Sequence, residues 1–368
     1  MRIGFNGQLV DEPEIRAGFI GCGSHAFRNV YPTFQFAPVN LVATCDLNID
    51  KAQAFAKKFG AEKAYSDYRE MLAKETLDAV FIVTGYDAVG RPLYPKIAAD
   101  CLNAGCHVWI EKPPASSCAE IDLMRQAARK NGKHVVVGMK KMFAPANEKA
   151  RELSTTPEFG GISLAMIQYP QFIPELDDFK RYAEKKECIG SVISFLDHQC
   201  HPVSFLIYLL GMPTTLFYER AKSGAGLATF TFDSGALATL ACTSGSAWNG
   251  GAERTTLISA TGGRHITVEN NLRVGYHCDA PNLGYGSSPD YYVGAPQETS
   301  SVWEPEFSLG QLYNKALFLL GYYNEVNEFA RAILDQRAPV KGTLEDAWKV
   351  TRIFEAFAEG PGKTISLQ

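Results

Sequence analysis

Two stretches of the chain hold residues whose types and spacing could move a proton beside a charged ligand. Asp197 and His201 stand four residues apart in a run from Ser191 to Leu210 that has helical apolar spacing and ends at Gly211. At that spacing both side chains project from one helix face, with His198 about a quarter turn away. A carboxylate and an imidazole so placed suit proton transfer, the ring titrating near neutrality. The second stretch is Glu111-Lys112, which closes the short apolar run Val108-Trp109-Ile110 just before Pro113-Pro114 forbid further strand pairing. That puts an ammonium at the C-terminal end of a buried strand, the edge where open α/β sheets bind ligands. Taken alone, each motif also reads as ordinary structure: a solvated helix face, and an ion pair at a strand end. No further carboxylate joins Asp197 and His201 at metal-ligand spacing, and the nine cysteines form no zinc pattern, so no metal site is expected.

The elements that must position these residues begin upstream. A buried strand, Arg16–Ile20, runs into Gly21-Cys22-Gly23-Ser24-His25-Ala26 and then a helical stretch over about 25–36. In such a Gly-x-Gly-x-x-Ala turn the first glycine allows the tight turn and the second lets backbone approach a pyrophosphate. The third small residue lets the helix pack on the strand. The next strand, Leu41–Cys45, ends at Asp46, placed to accept hydrogen bonds from an adenosine ribose and to repel a 2′-phosphate. No arginine follows closely, which favours NAD over NADP. The βα rhythm continues through strands 79–83, 108–110 and 134–137, predicting five parallel strands in a doubly wound sheet. Thr84-Gly85-Tyr86 follow the third strand on the ligand edge, where a nicotinamide would lie. Residues 1–14 read as an extension that would add an edge strand.

From about residue 144 the rhythm breaks. A strand over 162–169 and short alternating runs over 214–276 predict a mostly antiparallel sheet, with amphipathic helices over about 312–334 and 344–359. We expect a dinucleotide-binding Rossmann domain over 1–143 and an α+β substrate and oligomerisation domain over 144–368. The C-terminal helices are expected to pack back on the first, with Glu325, Phe329 and Ile333 on one stripe. Candidate substrate contacts are Lys140, Tyr169, Trp248 and Tyr323, with Tyr322 beside it. The Lys140-Lys141 pair would admit an anionic group, and the aromatic segment 278–309 would lie near the site or an interface.

Composition limits the partners. The net charge is −4, too little basic field to hold nucleic acid or an anionic membrane, and no apolar run is long enough to span a bilayer. The scattered, odd-numbered cysteines read as reduced core thiols, so a cytoplasmic location is expected.

In order, Gly-x-Gly-x-x-Ala, an acidic end to the second strand, Gly-x-His-Val-x-x-Glu-Lys-Pro and a Val-Val-Gly strand resemble the glucose-fructose oxidoreductase / inositol dehydrogenase / rhizopine catabolism (Gfo/Idh/MocA) family. The resemblance implies that Lys112 lies between nicotinamide and substrate, with Glu111 beside the cofactor. It implies that His201 is a general base and that Asp197 helps hold substrate hydroxyls or orients the ring. The chain departs from the family pattern at Thr84-Gly85-Tyr86, where Thr-Pro-Asn is common, and at Lys140-Lys141-Met142-Phe143, where Asn-Arg-Arg-Phe is common. The implied activity is NAD-dependent hydride transfer to or from a secondary alcohol of a sugar, inositol or related polyol, in a homodimer or homotetramer built through the C-terminal sheet. Two alternatives stand beside it: an NAD-using glycosidase or epimerase with transient oxidation, and a non-catalytic NAD-binding regulator.

Overall fold

Two sheets organise the molecule. The computed structural model describes residues 2–3, 8–247, 251–279, 299–304 and 316–368. The first sheet has six parallel strands in the order 63–65, 39–45, 15–20, 79–82, 107–110, 135–137. Strand Ala79–Ile82 and the stretches 108–110 and 135–137 are continuously apolar and buried, as strands of a covered parallel sheet are. The order reverses direction between Ile15–Ile20 and Ala79–Ile82, which opens a crevice at the C-terminal edge.

Three local features differ from the sequence expectation. The sheet has a sixth strand, Lys63–Tyr65, which is only three residues long at the sheet edge and so carries no apolar run to mark it. The helix expected over 25–36 is a π-helical turn, Ala26–Val30, followed by a 3-10 turn, Tyr31–Gln35. Pro32 stands at the start of the 3-10 turn, where it has no N–H to return to the carbonyl one turn back and so interrupts the α-helical ladder. The N-terminal extension adds nothing to the main sheet. Arg2–Ile3 pairs with Leu9–Val10 in a separate two-stranded ribbon.

The second sheet has nine strands, in the order 300–303, 273–278, 264–269, 254–259, 162–169, 237–242, 226–231, 215–220, 364–366. Every pairing is antiparallel except that of Ile162–Tyr169 with Leu237–Cys242. The closing strand, Thr364–Ser366, follows the last helix and was not signalled by any alternation. One face packs on the 21-residue helix Gly190–Leu210, which continues through Pro202 and ends at Gly211. Helix Leu344–Phe357, opened by a Thr343–Asp346 capping box, packs on both that helix and Cys118–Asn131.

The helix Tyr322–Leu334 lies against the first sheet instead. Val326, Phe329 and Ala330 are fully buried in one cluster with Phe19, Phe81 and Trp109, and the Phe329 ring meets Phe81 edge-on at 5.4 Å. Phe329→Ala should lower the unfolding free energy by about 3–5 kcal/mol, the usual cost of emptying a buried aromatic site. A urea-unfolding difference below about 1 kcal/mol would show that this helix is not seated on the sheet.

Candidate active site

The crevice at the strand-order reversal is a cleft of about 610 Å³ lined by Gly21, Cys22, Gly23, Asp46, Thr84, Gly85 and Tyr86, among others. Gly21 has φ +108°, and a Cβ there would stand 1.9 Å from the Val83 carbonyl oxygen, so only glycine makes this turn. A Cβ on Gly23 would meet nothing within 4 Å, so its backbone faces open space where a diphosphate could approach. Ser24 is exposed beside it, and Ala26 is fully buried where the helical turn packs on the strand. These residues fit a dinucleotide.

Asp46 faces the cleft with both carboxylate oxygens engaged by loop backbone: Cys22 N–H donates at 2.8 Å and Asn48 N–H at 2.9 Å. Helix Ile49–Phe59 is capped by Asn48, which leaves Asp46 for the cleft. Arg69 also lines this wall, a residue the sequence spacing did not mark. Its guanidinium is occupied by Asp100 at 3.2 Å and Asp67 at 4.0 Å.

At the other end of the cleft, Lys112 leaves the buried strand and its Nζ donates to Asp197 Oδ1 at 2.8 Å, across 85 residues of sequence. Burial alone would lower the Lys112 pKa, but the carboxylates of Glu111 and Asp197 outweigh it and raise it above the ordinary lysine value. Lys112 therefore remains an ammonium. Tyr86 OH lies 3.4 Å from the same Asp197 oxygen. Glu111 is buried and accepts from two sides: Lys112 N–H at 2.8 Å and His25 Nε2 at 2.8 Å. With Nε2 carrying the proton, His25 Nδ1 accepts from Asn29 Nδ2 at 3.2 Å. Glu111 thus acts through the groups it holds.

The expectation that Asp197 orients His201 is corrected by this geometry. The Asp197 carboxylate turns to Lys112, with His198 Nδ1 at 3.8 Å, and among the described residues none is hydrogen-bonded to the His201 ring. Four-residue spacing puts two side chains on one face, but the full charge of a nearby ammonium is the stronger attraction for a carboxylate. His201 is buried with its ring 6.3 Å from that of Tyr169. Burial, and then the charges of Lys112, Lys140 and Lys141, push its pKa well below the ordinary imidazole value. It is neutral at pH 7 and free to accept a proton.

The substrate candidates separate. Lys140, half-buried, donates to Tyr322 OH at 3.0 Å, and burial together with Lys141 lowers its pKa to about 8. Lys141 turns the other way into a buried ion pair with Glu253, which Asn271 Nδ2 also contacts at 2.6 Å. The expected pair of lysines facing one anion is therefore replaced by one available lysine and one neutralised lysine. Tyr169 is buried at the edge of a small cavity it shares with His201, Lys141 and Glu253. Tyr323 is displaced from the site: one residue along a helix is a 100° turn, and its ring packs on Phe36 and Phe318. Tyr322 takes the place facing His25, with ring centres 5.9 Å apart. Trp248 and most of the aromatic segment 278–309 lie outside the described residues. Among the described residues no group of three His, Cys, Asp or Glu side chains could hold a metal, and no helix is long and apolar enough to cross a membrane.

Sequence reasoning assigned Glu325 only to a packing stripe. It is fully buried, and neither carboxyl oxygen has a hydrogen-bond partner. Burial first, and the nearby Glu111 second, hold its pKa far above the carboxylate range. The available signal was one acid on an otherwise apolar face with Phe329 and Ile333.

This cleft, with its glycine turn, the acid that closes strand 39–45 and the lysine that follows strand 107–110, defines a dinucleotide-binding Rossmann protein carrying a second, mostly antiparallel sheet. Residues 15–139 match the model of the oxidoreductase family with an NAD-binding Rossmann fold. In these residues the chain is similar to the Gfo/Idh/MocA oxidoreductases. It is 23% identical over 239 residues to the uncharacterized oxidoreductase YrbE of Bacillus subtilis, covering 62% of this chain and 66% of the relative. It is 28% identical over 151 residues to inositol 2-dehydrogenase of Salmonella typhimurium, covering 40% of this chain and 43% of the relative. The chain thus spans 43% to 66% of the length of these curated relatives. A dehydrogenase from Chromobacterium violaceum shares the fold at a TM-score of 0.77 and 20% identity, over 95% of this chain and 96% of that one.

A carboxyl whose pKa is raised by folding is protonated in both states at low pH. Above the ordinary value near 4.3 the unfolded chain ionises first, so stability falls as pH rises, by up to about 1.4 kcal/mol per unit. Glu325→Gln removes that dependence. In urea unfolding from pH 4.5 to 7 the variant should gain steadily on the wild type, and a constant difference across that range would show that Glu325 is ionised when folded.

Proposed function

We propose that the protein is an NAD-dependent dehydrogenase acting on a secondary alcohol of a sugar, inositol or related polyol. The observation that carries this reading is the Lys112–Asp197 pair at the sheet edge, with His201 one turn further along the same helix beside the dinucleotide cleft. Bound in that cleft, NAD would supply a hydride acceptor. The chain's own residues supply the rest. Neutral His201 takes the hydroxyl proton, and the Lys112 ammonium stabilises the negative charge that develops on the oxygen. Asp197 fixes Lys112 and offers its second oxygen to a neighbouring hydroxyl. Asp46 at the ribose end, and carboxylates occupying Arg69, support NAD over NADP.

Relatives named for inositol and glucoside dehydrogenation support the polyol class. Lys112→Ala and His201→Ala should each lower kcat with NAD and a polyol by about 10²–10⁴-fold, with NAD binding by fluorescence retained. The acid limb of the wild-type kcat/KM profile should lie below pH 6.5, because His201 is held below its ordinary value. Full turnover in both variants would refute the assignment.

The outer face of the nine-stranded sheet supports a homo-oligomer. One cross-strand row reads Phe217, Thr229, Thr239, Met166, Thr256, Thr267, Gly275, Val302, without a charge. Phe217, Met166 and Val302 are each at least 40% exposed, a flat uncharged strip suited to a twofold contact between copies. Met166→Glu should shift the sedimentation coefficient to that of a smaller species; no shift, or a wild type that is already monomeric, would remove this reading.

A further inference from the structure

His201 is only 9% exposed, so a proton taken up by its ring is shielded from bulk solvent. With a dinucleotide and an alcohol in the cleft, any opening on that side would be filled. Each turnover of a dehydrogenase leaves one proton on the base, which must lose it before it can act again. His201 also borders a small cavity of about 20 Å³, shared with Tyr169, Lys141, Glu253, Asn271 and Val268 among others. That is room for one water, which needs roughly 10–15 Å³ and two to four polar partners. His201, Lys141, Glu253 and Asn271 supply the polar side chains.

Of these, Glu253 reaches the outside. It stands just before strand Arg254–Ser259, and 25% of its side chain is exposed, against 7% for its partner Lys141. Its Oε2 accepts from both the Lys141 ammonium and Asn271 Nδ2, the latter at 2.6 Å. Its Oε1 has no hydrogen-bond partner among the described residues, which leaves that oxygen to take a proton. Burial alone would raise the Glu253 pKa, but the Lys141 charge and the hydrogen bonds from Lys141 and Asn271 outweigh it and hold the pKa below the ordinary carboxylate value. His201 is held below its own ordinary value as well. Neither group therefore binds a proton tightly, and a water between them would pass it on rather than leave it trapped.

We propose that this cavity is the proton exit of the site, with Glu253 as its outer group; the assignment rests on the dehydrogenase reading above. The His201 N–H gives its proton to a water in the cavity, that water gives one of its own to Glu253 Oε1, and Glu253 releases it to solvent. One proton leaves for each hydride transferred to NAD, and no further reactant is needed. In this scheme Glu253 acts only through His201 and touches neither cofactor nor alcohol.

The test compares NADH formation by wild type, Glu253→Gln and Val268→Ile in H2O and D2O, over a panel of inositols and aldoses and with the best substrate deuterated at the reacting carbon. Val268→Ile fills the cavity with one more carbon and leaves the Lys141–Glu253 pair intact, so it serves alone if Glu253→Gln fails to fold. In each variant kcat should fall about tenfold or more. The D2O effect on kcat should grow while the carbon-deuterium effect does not, because proton exit has become limiting; structural damage around the hydride would do the reverse. The exit is overturned if a folded variant keeps the wild-type kcat, or if kcat falls without growth of the D2O effect. No NADH from the wild type across the panel would instead refute the dehydrogenase reading, and the exit with it.

Discussion

The Lys112–Asp197 ion pair is the contact on which the geometry of the site depends. Lys112 is delivered by the end of a Rossmann strand and Asp197 by the helix that supports the second sheet. The Lys112 side chain is mostly buried, so removing Asp197 would leave it with one carboxylate fewer to offset its desolvation. The contact therefore fixes how the strand edge and the helix face each other across the cleft. It also decides the state of its neighbours: with Asp197 spent on the lysine, His201 sits among cations with no carboxylate holding it, and remains neutral.

Much of the first sheet was legible because its signals are local. A glycine required by positive φ, a continuously apolar strand and an acid closing the next strand are each readable within a few residues, and Gly21, Ile15–Ile20 and Asp46 stand where that reading put them. The helix carrying Asp197 and His201 was legible for the same reason, down to its terminating Gly211. Features that depend on a competing partner were not. Spacing alone joined Asp197 to His201, whereas the nearest full positive charge comes from 85 residues away. Adjacent tyrosines gave no hint that Tyr322 would face Lys140 while Tyr323 joined an aromatic cluster, since only the helix's docking angle decides that. Edge elements such as Lys63–Tyr65 and Thr364–Ser366 take their strand conformation from a neighbour and have almost no pattern of their own.

The lysines around the site show how burial divides like residues into different roles. Lys112 is held charged by two carboxylates, Lys141 is neutralised by Glu253, and Lys140, left with a phenol, drops to about 8. Three identical side chains within 30 residues thus become a fixed ammonium beside the cleft, a structural tie between the first sheet's edge and the second sheet, and a group poised near physiological pH. Glu325 completes the set as an acid kept neutral by the same surroundings.

Glu111 accepts from the His25 ring behind the glycine turn and from the backbone of Lys112 at the end of strand 107–110. One carboxylate therefore serves as a common footing for the glycine turn and for the lysine. Any redesign of cofactor preference that reshapes the 24–29 turn would pull on that footing, and selectivity between dinucleotides could not be altered there without also moving the seat of the lysine.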